Sequence, residues 1–521
     1  MRDTLPTSEF NSASGLTTVN GPPSLVDPPA APSQKNSSDQ LLGVVEQSLL
    51  KRLVIQGSAW TIMGHGCSQG LRLVSNLVLT HLLFPRAFGV MMLVNIFVHG
   101  LAMFSDIGIG PSIVQNKRGD DPEFCDTAWT IQIIRGCILW LGACALAWPV
   151  AYFYDEPLLM QLLPVAGLSA LLAGLNSTKL FTANRHLVLG RLTCIEVGSQ
   201  LVGIVCMVSL ALVWRSVWAL VIGGLIGVVA KLVMSHSLLP GRTNRPNWDR
   251  AALKELITFG RWIFISTLLT FLAVNTDRIM LGKFLSLDTL GIYSIGLFVA
   301  MAGAEVVNKV TRIILMPALA GQFRESIAHF EKALVRGRRI LLTVAAVVTV
   351  STVLIAPTLI HGLYDARYHG AAWIAQLLSV GIWFAMLQRT VNMAALALGE
   401  SRPVAVSHAF NFVTTMVAAP VGFTVFGLSG FVWGWSLGNL AGLIAIELAM
   451  MRRGIYLGWQ DIKYSAVLAS AVVLGIVLQW VAQGQLPAIF PIWATDILAV
   501  GGLALLLTPL LLLHFNSIRS N

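Results

Sequence analysis

The residues best suited to chemistry in this sequence are arginines in places where a cation is costly. Arg72 in SQGLRLVSN, Arg135 in IQIIRGC, Arg278 in FLAVNTDRIMLGKFLSLDTLGIYSIG and Arg389 in AMLQRTVNMAALALG each interrupt a run apolar enough for lipid. A charge at the centre of a membrane helix costs about 2.5–3.5 kcal/mol, so such a residue faces a cavity, meets a partner or snorkels to the interface. A guanidinium offers a planar fork of donors that binds oxyanions in a bidentate way. Arg72 lies about 20 Å along its helix, out of easy reach of either end, which leaves a cavity role or a structural ion pair. Arg135 sits some two turns inside its span, and a cavity role and snorkelling both remain open. Arg278 has the same two readings. Asp277, about 100° round the helix from Arg278, cannot share its face. It is open to pairing with another helix, to tuning Arg278, or to carrying a proton. Gln388 and Asn392 beside Arg389 can hydrogen-bond hydroxyls or another helix. Asp106, beside Gly108, Gly110 and Pro111, is suited to shaping a helix end or to gating.

These residues need elements to hold them. The chain has 521 residues, is 55% hydrophobic and only 12% charged, and has a mean hydropathy of +0.74. That composition excludes a soluble globular domain. A helix crossing about 30 Å of hydrocarbon needs roughly 20 apolar residues. By that measure the sequence predicts about fourteen spans, near 57–83, 87–109, 127–151, 157–177, 190–212, 216–239, 256–283, 288–316, 339–361, 370–398, 403–425, 427–450, 464–483 and 490–514. The runs are too long and too little alternating for barrel strands, so the expected fold is an all-α polytopic bundle.

Charge asymmetry sets the expected orientation. With the N-terminus in the cytoplasm, the outward loops keep only Arg86, Arg215, Lys283 and Arg367, and the other loop cations face inward. This follows the positive-inside rule and predicts both termini in the cytoplasm. It also accounts for the net charge of +10 without a nucleic-acid partner. RGRR at 336–339 reads as a topology signal facing anionic head groups. Residues 1–50, rich in Pro, Ser, Thr and Asn, read as a disordered cytoplasmic tail. The six cysteines and ten histidines show no metal-ligand spacing and no disulfide framework, and no GxxxxGK[ST] occurs. No metal and no cofactor is expected.

Displacing the chain against itself by 202 residues places Trp60 on Trp262, Leu79 on Leu281, Leu83 on Leu285 and Gly89 on Gly291 without a gap. This predicts two pseudo-symmetric six-helix lobes, 51–240 and 256–451. They would be joined by a cytoplasmic linker, 241–255, and followed by two accessory spans and a short tail, 452–521. In that register Arg278 corresponds to Asn76, one turn beyond Arg72.

FSDIGIGPSIVQ at 104–115 and NTDRIMLGKFLSLDTLGIYSIG at 275–296 resemble signature stretches of bacterial polysaccharide flippases of the O-antigen and exopolysaccharide type. These belong to the superfamily that also holds multidrug and toxin extruders and the lipid II flippase. The resemblance covers about residues 50–515 and leaves the N-terminal tail out. It implies transport, not catalysis: a polyprenyl-diphosphate-linked oligosaccharide would be moved across the bacterial inner membrane by two lobes rocking about a central cavity. It also implies membrane lipids as surroundings, with a polysaccharide polymerase and a chain-length regulator as further partners. A diphosphate calls for deep cations, and Arg72, Arg135, Arg278, Arg389, Asn76 and Gln388 are the candidate substrate-binding residues. Asp106 and Asp277 are the candidates for gating or ion coupling.

Three alternatives stand beside this one. A multidrug extruder would be expected to carry deep acidic residues, whereas the deep charges here lean basic. A lipid II flippase would share the fold. A polysaccharide polymerase or ligase would need a large outward catalytic loop, and the outward loops are short.

Overall fold

Apolar runs of this length leave the backbone one way to satisfy its own hydrogen bonds in lipid, the α-helix. The computed structural model describes residues 35–104, 108–249, 271, 275–311 and 327–485, and none of these is in a strand. The helices are α1 (Lys35–Leu82), α2 (Pro85–Phe104), α3 (Ile109–Gln115), α4 (Pro122–Tyr154), α5 (Leu158–Gly174), α6 (Lys179–Arg185), α7 (Leu189–Trp214) and α8 (Val217–Ser237). After α9, over residues 275–284, come α10 (Leu287–Val310), α11 (Ile327–Leu363), α12 (Ala371–Ala397), α13 (Ser401–Met451) and α14 (Gly458–Gln485). Among the described residues nine helices are long and apolar enough to cross a membrane, or ten if the bent pair α5 and α6 counts as one span. The polytopic all-α expectation therefore holds. The expected span 490–514 and most of 256–283 lie outside the described residues.

The chain divides into two units, residues 1–55 and 56–521. In the first, the helix starts at Lys35, inside the stretch expected to be disordered. From Leu41 onward the apolar residues of LLGVVEQSLLKRL recur at helical spacing, and that periodicity outweighs the polar composition before it.

In the second unit, Gly427 explains why two expected spans appear as one long helix. Its φ of 61° and ψ of −143° are open only to glycine, and α13 reverses there into a hairpin. The two arms touch at Gly422 and Gly430. A Cβ on either would fall 2.0–2.1 Å from the other's carbonyl oxygen. Buried polar side chains continue the seam. Asn411 donates to Asn439 at 3.0 Å, and Ser407 donates to the Gly442 carbonyl at 2.8 Å.

A helix crossing as close as that seam joins α2 to α10. A Cβ on Gly89 would lie 2.0 Å from the Leu287 carbonyl oxygen, and one on Gly291 would lie 1.9 Å from that of Pro85. Each contact becomes the other when displaced by 202 residues, so the pair is self-complementary, as a two-fold interface requires. Small residues at such a crossing let backbones meet where lipid supplies no hydrophobic drive.

Around this crossing the helix ends grip one another reciprocally. From the end of α4, Tyr154 donates to the Ile279 carbonyl at 3.0 Å, while Lys283 reaches back to the Phe153 carbonyl at 2.6 Å and to Asp155 at 2.9 Å. After α11, Tyr368 donates to the Leu83 carbonyl at 2.9 Å, and Arg367 donates to the His81 carbonyl at 3.3 Å. Asp365 orients Arg367 by accepting from its Nε at 2.7 Å. That bond holds the Asp365 carboxyl down at about 2. Its ionised, orienting form is thus present above the ordinary carboxylate range and lost only as the pH falls towards that value. Arg86 and Glu156 add an ion pair of 2.6 Å at the same end.

Gly291→Val should force α2 and α10 apart. The expected cost is about 1–3 kcal/mol, as for overpacking a tight core, read as a lowered midpoint of thermal unfolding in detergent. An unchanged midpoint would mean that the crossing is looser than the contact distances imply.

Candidate functional site

The site is built from α1 and α2, which the turn at Leu83 and Phe84 joins. Arg72 shares a helix face with Leu79 and Leu83, its i+7 and i+11 neighbours, which are 2% and 0% exposed. Met63, Val74 and Val78 mark the other, outward-facing side of α1. Arg72 is nonetheless exposed. The face of α1 that is buried at Leu79 is therefore exposed about two turns earlier, at Arg72.

Helix α2 shows the same exposure. Between Pro85 and Met103 only Arg86, Asn95 and His99 are exposed. Arg86 belongs to the helix end, so the interior of α2 is open along a single stripe, the i, i+4 pair Asn95 and His99. Both residues are polar. Arg72 lies ten residues before the end of α1 and Asn95 ten residues after the start of α2, so each is about 15 Å from the turn. The sequence reading placed no binding role on Asn95. Its signal was there, as an Asn and a His spaced i, i+4 in an otherwise apolar helix.

The other sequence-selected residues divide among several settings. Asn76 is half-buried. Arg278 is half-buried, with Nη1 donating to Asn275 at 3.2 Å and Nη2 to the Met301 sulfur of α10 at 3.6 Å. Its Nε has no partner among the described residues. Asp277 is 3% exposed and accepts from the Tyr293 hydroxyl of α10 at 3.4 Å. Its second oxygen has no partner among the described residues, so its contact is a hydrogen bond and not an ion pair. Arg389 is exposed on α12, whose span is the most buried of the nine at 61%. Asp106 lies outside the described residues.

Gln388 is occupied elsewhere. It is 3% exposed, donates to the Ser407 hydroxyl at 2.7 Å and accepts from Asn411 at 3.3 Å. Its amide ties α12 to the first arm of α13, so packing and not an open cavity claims it. RGRR also departs from its expected role. Arg338 is fully buried, with Nη2 2.7 and 3.0 Å from the two Asp461 oxygens of α14 and Nε donating to Thr390 of α12 at 2.9 Å. An arginine at the head of an apolar run snorkels only when nothing closer accepts its protons. Asp461, 123 residues further along the chain, gave no local sign of doing so.

Arg135 lines a cavity of about 610 Å³ between α1, α2 and α3 on one side and α4 to α8 on the other, together with Thr61, Glu196 and Lys231. Its Nη2 donates to the Ala102 carbonyl of α2 at 2.8 Å. Among the described residues no group of three or more His, Cys, Asp or Glu could hold a metal ion.

Comparison with known proteins bears on the family and the fold. The lipopolysaccharide biosynthesis protein WzxC of Escherichia coli K12 is 22% identical over 411 residues, 77% of this chain and 82% of that one. The teichuronic acid biosynthesis protein TuaB of Bacillus subtilis is 20% identical, over 57% of this chain and 61% of its own length. The amylovoran biosynthesis protein AmsL of Erwinia amylovora is 19% identical, over 57% and 76%. Among solved structures, the lipid II flippase MurJ in an inward closed conformation superposes with a TM-score of 0.65, at 10% identity over 88% of this chain and 100% of that one. An inward-facing multidrug transporter of the MATE family gives 0.58, at 13% identity over 74% and 94%. These two establish the fold alone. The polysaccharide biosynthesis protein family matches residues 78–373, more than half of the sequence, and the chain belongs to that family.

Proposed function

We propose that this protein flips a polyprenyl-diphosphate-linked oligosaccharide repeat unit across the bacterial inner membrane for the assembly of a surface or exported polysaccharide. The observation that carries the reading is the polar stripe of Arg72, Asn95 and His99, exposed on faces of α1 and α2 that otherwise pack inward. Each part of the cargo has a physical counterpart. The diphosphate is bound by the Arg72 guanidinium, with Asn76, Arg278 and Arg389 as further groups flanking the cleft. Glycan hydroxyls meet Asn95 and His99, and the polyprenyl chain stays in lipid. The relatives named for lipopolysaccharide, teichuronic acid and amylovoran biosynthesis support a glycan as the cargo.

The lobes are residues 51–240 and 256–451, and they rock about the α2–α10 crossing. The positive-inside bias puts the gripped helix ends at the periplasmic face and both termini in the cytoplasm. With that end latched, the cleft opens to the cytoplasm and receives its cargo there. Asp277 is the coupling group: a buried carboxylate with one weakly held oxygen can take and release a proton as Tyr293 moves with α10. A polymerase and a chain-length regulator act on the unit after release, and the protein itself forms no glycosidic bond.

Arg72→Ala should lower export of the glycan at least tenfold, the loss of one charge-assisted contact of about 1.5–3 kcal/mol, while the amount of protein in the membrane is unchanged. Arg72→Lys should restore export only in part. Quantifying surface polysaccharide in a strain lacking its own flippase reads both variants, and wild-type export by Arg72→Ala would remove the cationic cleft from the mechanism.

The latch gives a second test. In a cysteine-free background, Asp155→Cys with Lys283→Cys should be joined by a short bifunctional maleimide and export should stop, whereas either substitution alone leaves export active. Because Asp365 stays ionised well below neutrality, cross-linking efficiency should be flat between about pH 5 and 8 once the reagent's own pH dependence is removed. Continued export by the cross-linked protein would mean that this end never opens.

A further inference from the structure

The cavity that Arg135 lines continues the polar stripe of α2. Ala102 is part of its wall, and Ala102 stands at i+3 from His99, so the two share a face. It lies seven residues, about 10 Å, beyond Asn95, a distance that the first sugars of an oligosaccharide cover. Opposite, α4 and α5 meet backbone to backbone. A Cβ on Gly136 would fall 2.9 Å from the Ala170 carbonyl oxygen, and one on Gly174 would fall 2.7 Å from that of Gln132. Contact this close holds the side chains beside it in place.

Two of the lining residues lack donors. Gln132 on α4 and Asn176, at the 56° bend between α5 and α6, both line the cavity and are each 8% exposed. The side-chain oxygen of each has no hydrogen-bond partner among the described residues. Gln132 cannot turn to escape this. Its amide nitrogen donates to the Ala173 carbonyl at 3.0 Å, and a flipped amide would set oxygen against oxygen. Arg135, a strong donor in the same lining, is turned to the Ala102 carbonyl at 2.8 Å instead.

The lining also carries Leu180, Phe181, Leu189 and Leu192. The Phe181 ring is held against α3, where a Cβ on Gly110 would lie 2.9 Å from it. Fixed acceptors with apolar and aromatic surface suit a ring that bears hydroxyls on its edge and C–H groups on its faces. Water can serve such oxygens between cargoes, and a hydroxyl that replaces it keeps the hydrogen bond. The volume of about 610 Å³ falls within the range of about 300–1,000 Å³ found for pockets that bury a small molecule.

We propose that Gln132 and Asn176 form a sugar subsite, in which their amide oxygens accept from the hydroxyls of a hexose ring of the glycan while Phe181 packs against its C–H face. The subsite rests on the flippase reading and adds to it the residues that recognise sugar rather than diphosphate.

The test uses the purified full-length protein in an amine oxide detergent, which has no sugar headgroup to compete, with binding read by native mass spectrometry. The probes are polyprenyl diphosphates carrying lactose, cellobiose or chitobiose, and one carrying a bicyclohexyl group, which keeps the rings and the diphosphate charge but has no donor. At least one disaccharide lipid should bind about tenfold or more tighter than the bicyclohexyl lipid, as two hydrogen bonds supply. Asn176→Leu and Gln132→Met should each remove most of that preference, whereas Asn176→Asp, which keeps the acceptor oxygens, should retain it. The preference is a ratio of affinities on one protein, so a loss of folded protein lowers both terms alike. Equal binding of all four lipids by the wild-type protein would overturn the subsite and leave the diphosphate reading standing. A preference undiminished in both Asn176→Leu and Gln132→Met would overturn it too, because the sugar would then be read elsewhere. If none of the four lipids binds, the flippase reading falls and the subsite with it.

Discussion

Everything in this molecule hangs on two glycines pressed against carbonyl oxygens. Water drives apolar helices together, but lipid is as apolar as the helices, so association must come from close packing. Gly89 and Gly291 let α2 and α10 approach until a Cβ would overlap a backbone oxygen, and the contact surface is its own mirror under the 202-residue displacement. A self-complementary crossing near one end of the bundle makes a natural pivot. Side chains on either flank can separate while the backbones stay in contact. The reciprocal grips of Tyr154 on α9 and Tyr368 on α1 surround that pivot, so releasing one without the other would twist the crossing. Coupling between the two grips then needs no longer path than the two helices themselves.

Charge explains the rest, because in lipid every ionised group must be accounted for. The cations of this chain meet their cost in distinct ways. Arg338 is wholly desolvated and survives by an ion pair in which Nη2 meets both Asp461 oxygens and ties α11 to α14. Lys283 and Arg367 satisfy their protons on carbonyl oxygens exposed at helix C-termini, where the helix dipole favours a cation. Arg278 leans on an amide and a thioether, weak acceptors that leave its charge under-compensated. Arg72 is exposed on a face of α1 that packs inward further along. The first two arrangements are structural, since nothing further is needed to satisfy the groups. The last two leave capacity for an anion.

The extent to which the sequence foretold this follows from the range over which each signal acts. Helices are announced by runs of adjacent residues, and the reversal at Gly427 fell between two spans separated on hydropathy alone. The repeat showed itself through four identities, and one of them, Gly89 with Gly291, is the crossing itself. Pairings across the chain carried no such mark. Arg338 read as one more basic residue near a helix end because Asp461 is 123 positions away. Gln388 read as a possible sugar ligand because its partners, Ser407 and Asn411, lie on another helix. Asn95 escaped attention for a different reason: a neutral side chain raises no alarm in a search for charges, and only its exposure within a buried helix reveals the opening it lines.

The repeat also separates scaffold from lining. Displaced by 202 residues, the crossing glycines coincide, yet Arg72 falls on Val274, Asn95 on Leu297 and His99 on Met301. Leu297 is buried and Met301 half-buried, so the counterpart of the polar stripe is apolar and largely packed. Under the proposed function, the parts that move as equals are alike in the two halves and the parts that touch cargo differ. A diphosphate-linked glycan is itself lopsided, with charge at one end and hydroxyls along the other. A cleft that is symmetric in its hinge but polar on one wall can hold such a molecule in a single orientation and still open by the same motion on either face. On this view Arg278, a strong cation of the second wall, is placed to meet the charged end from across the cleft, and its weak partners among the described residues leave it able to do so.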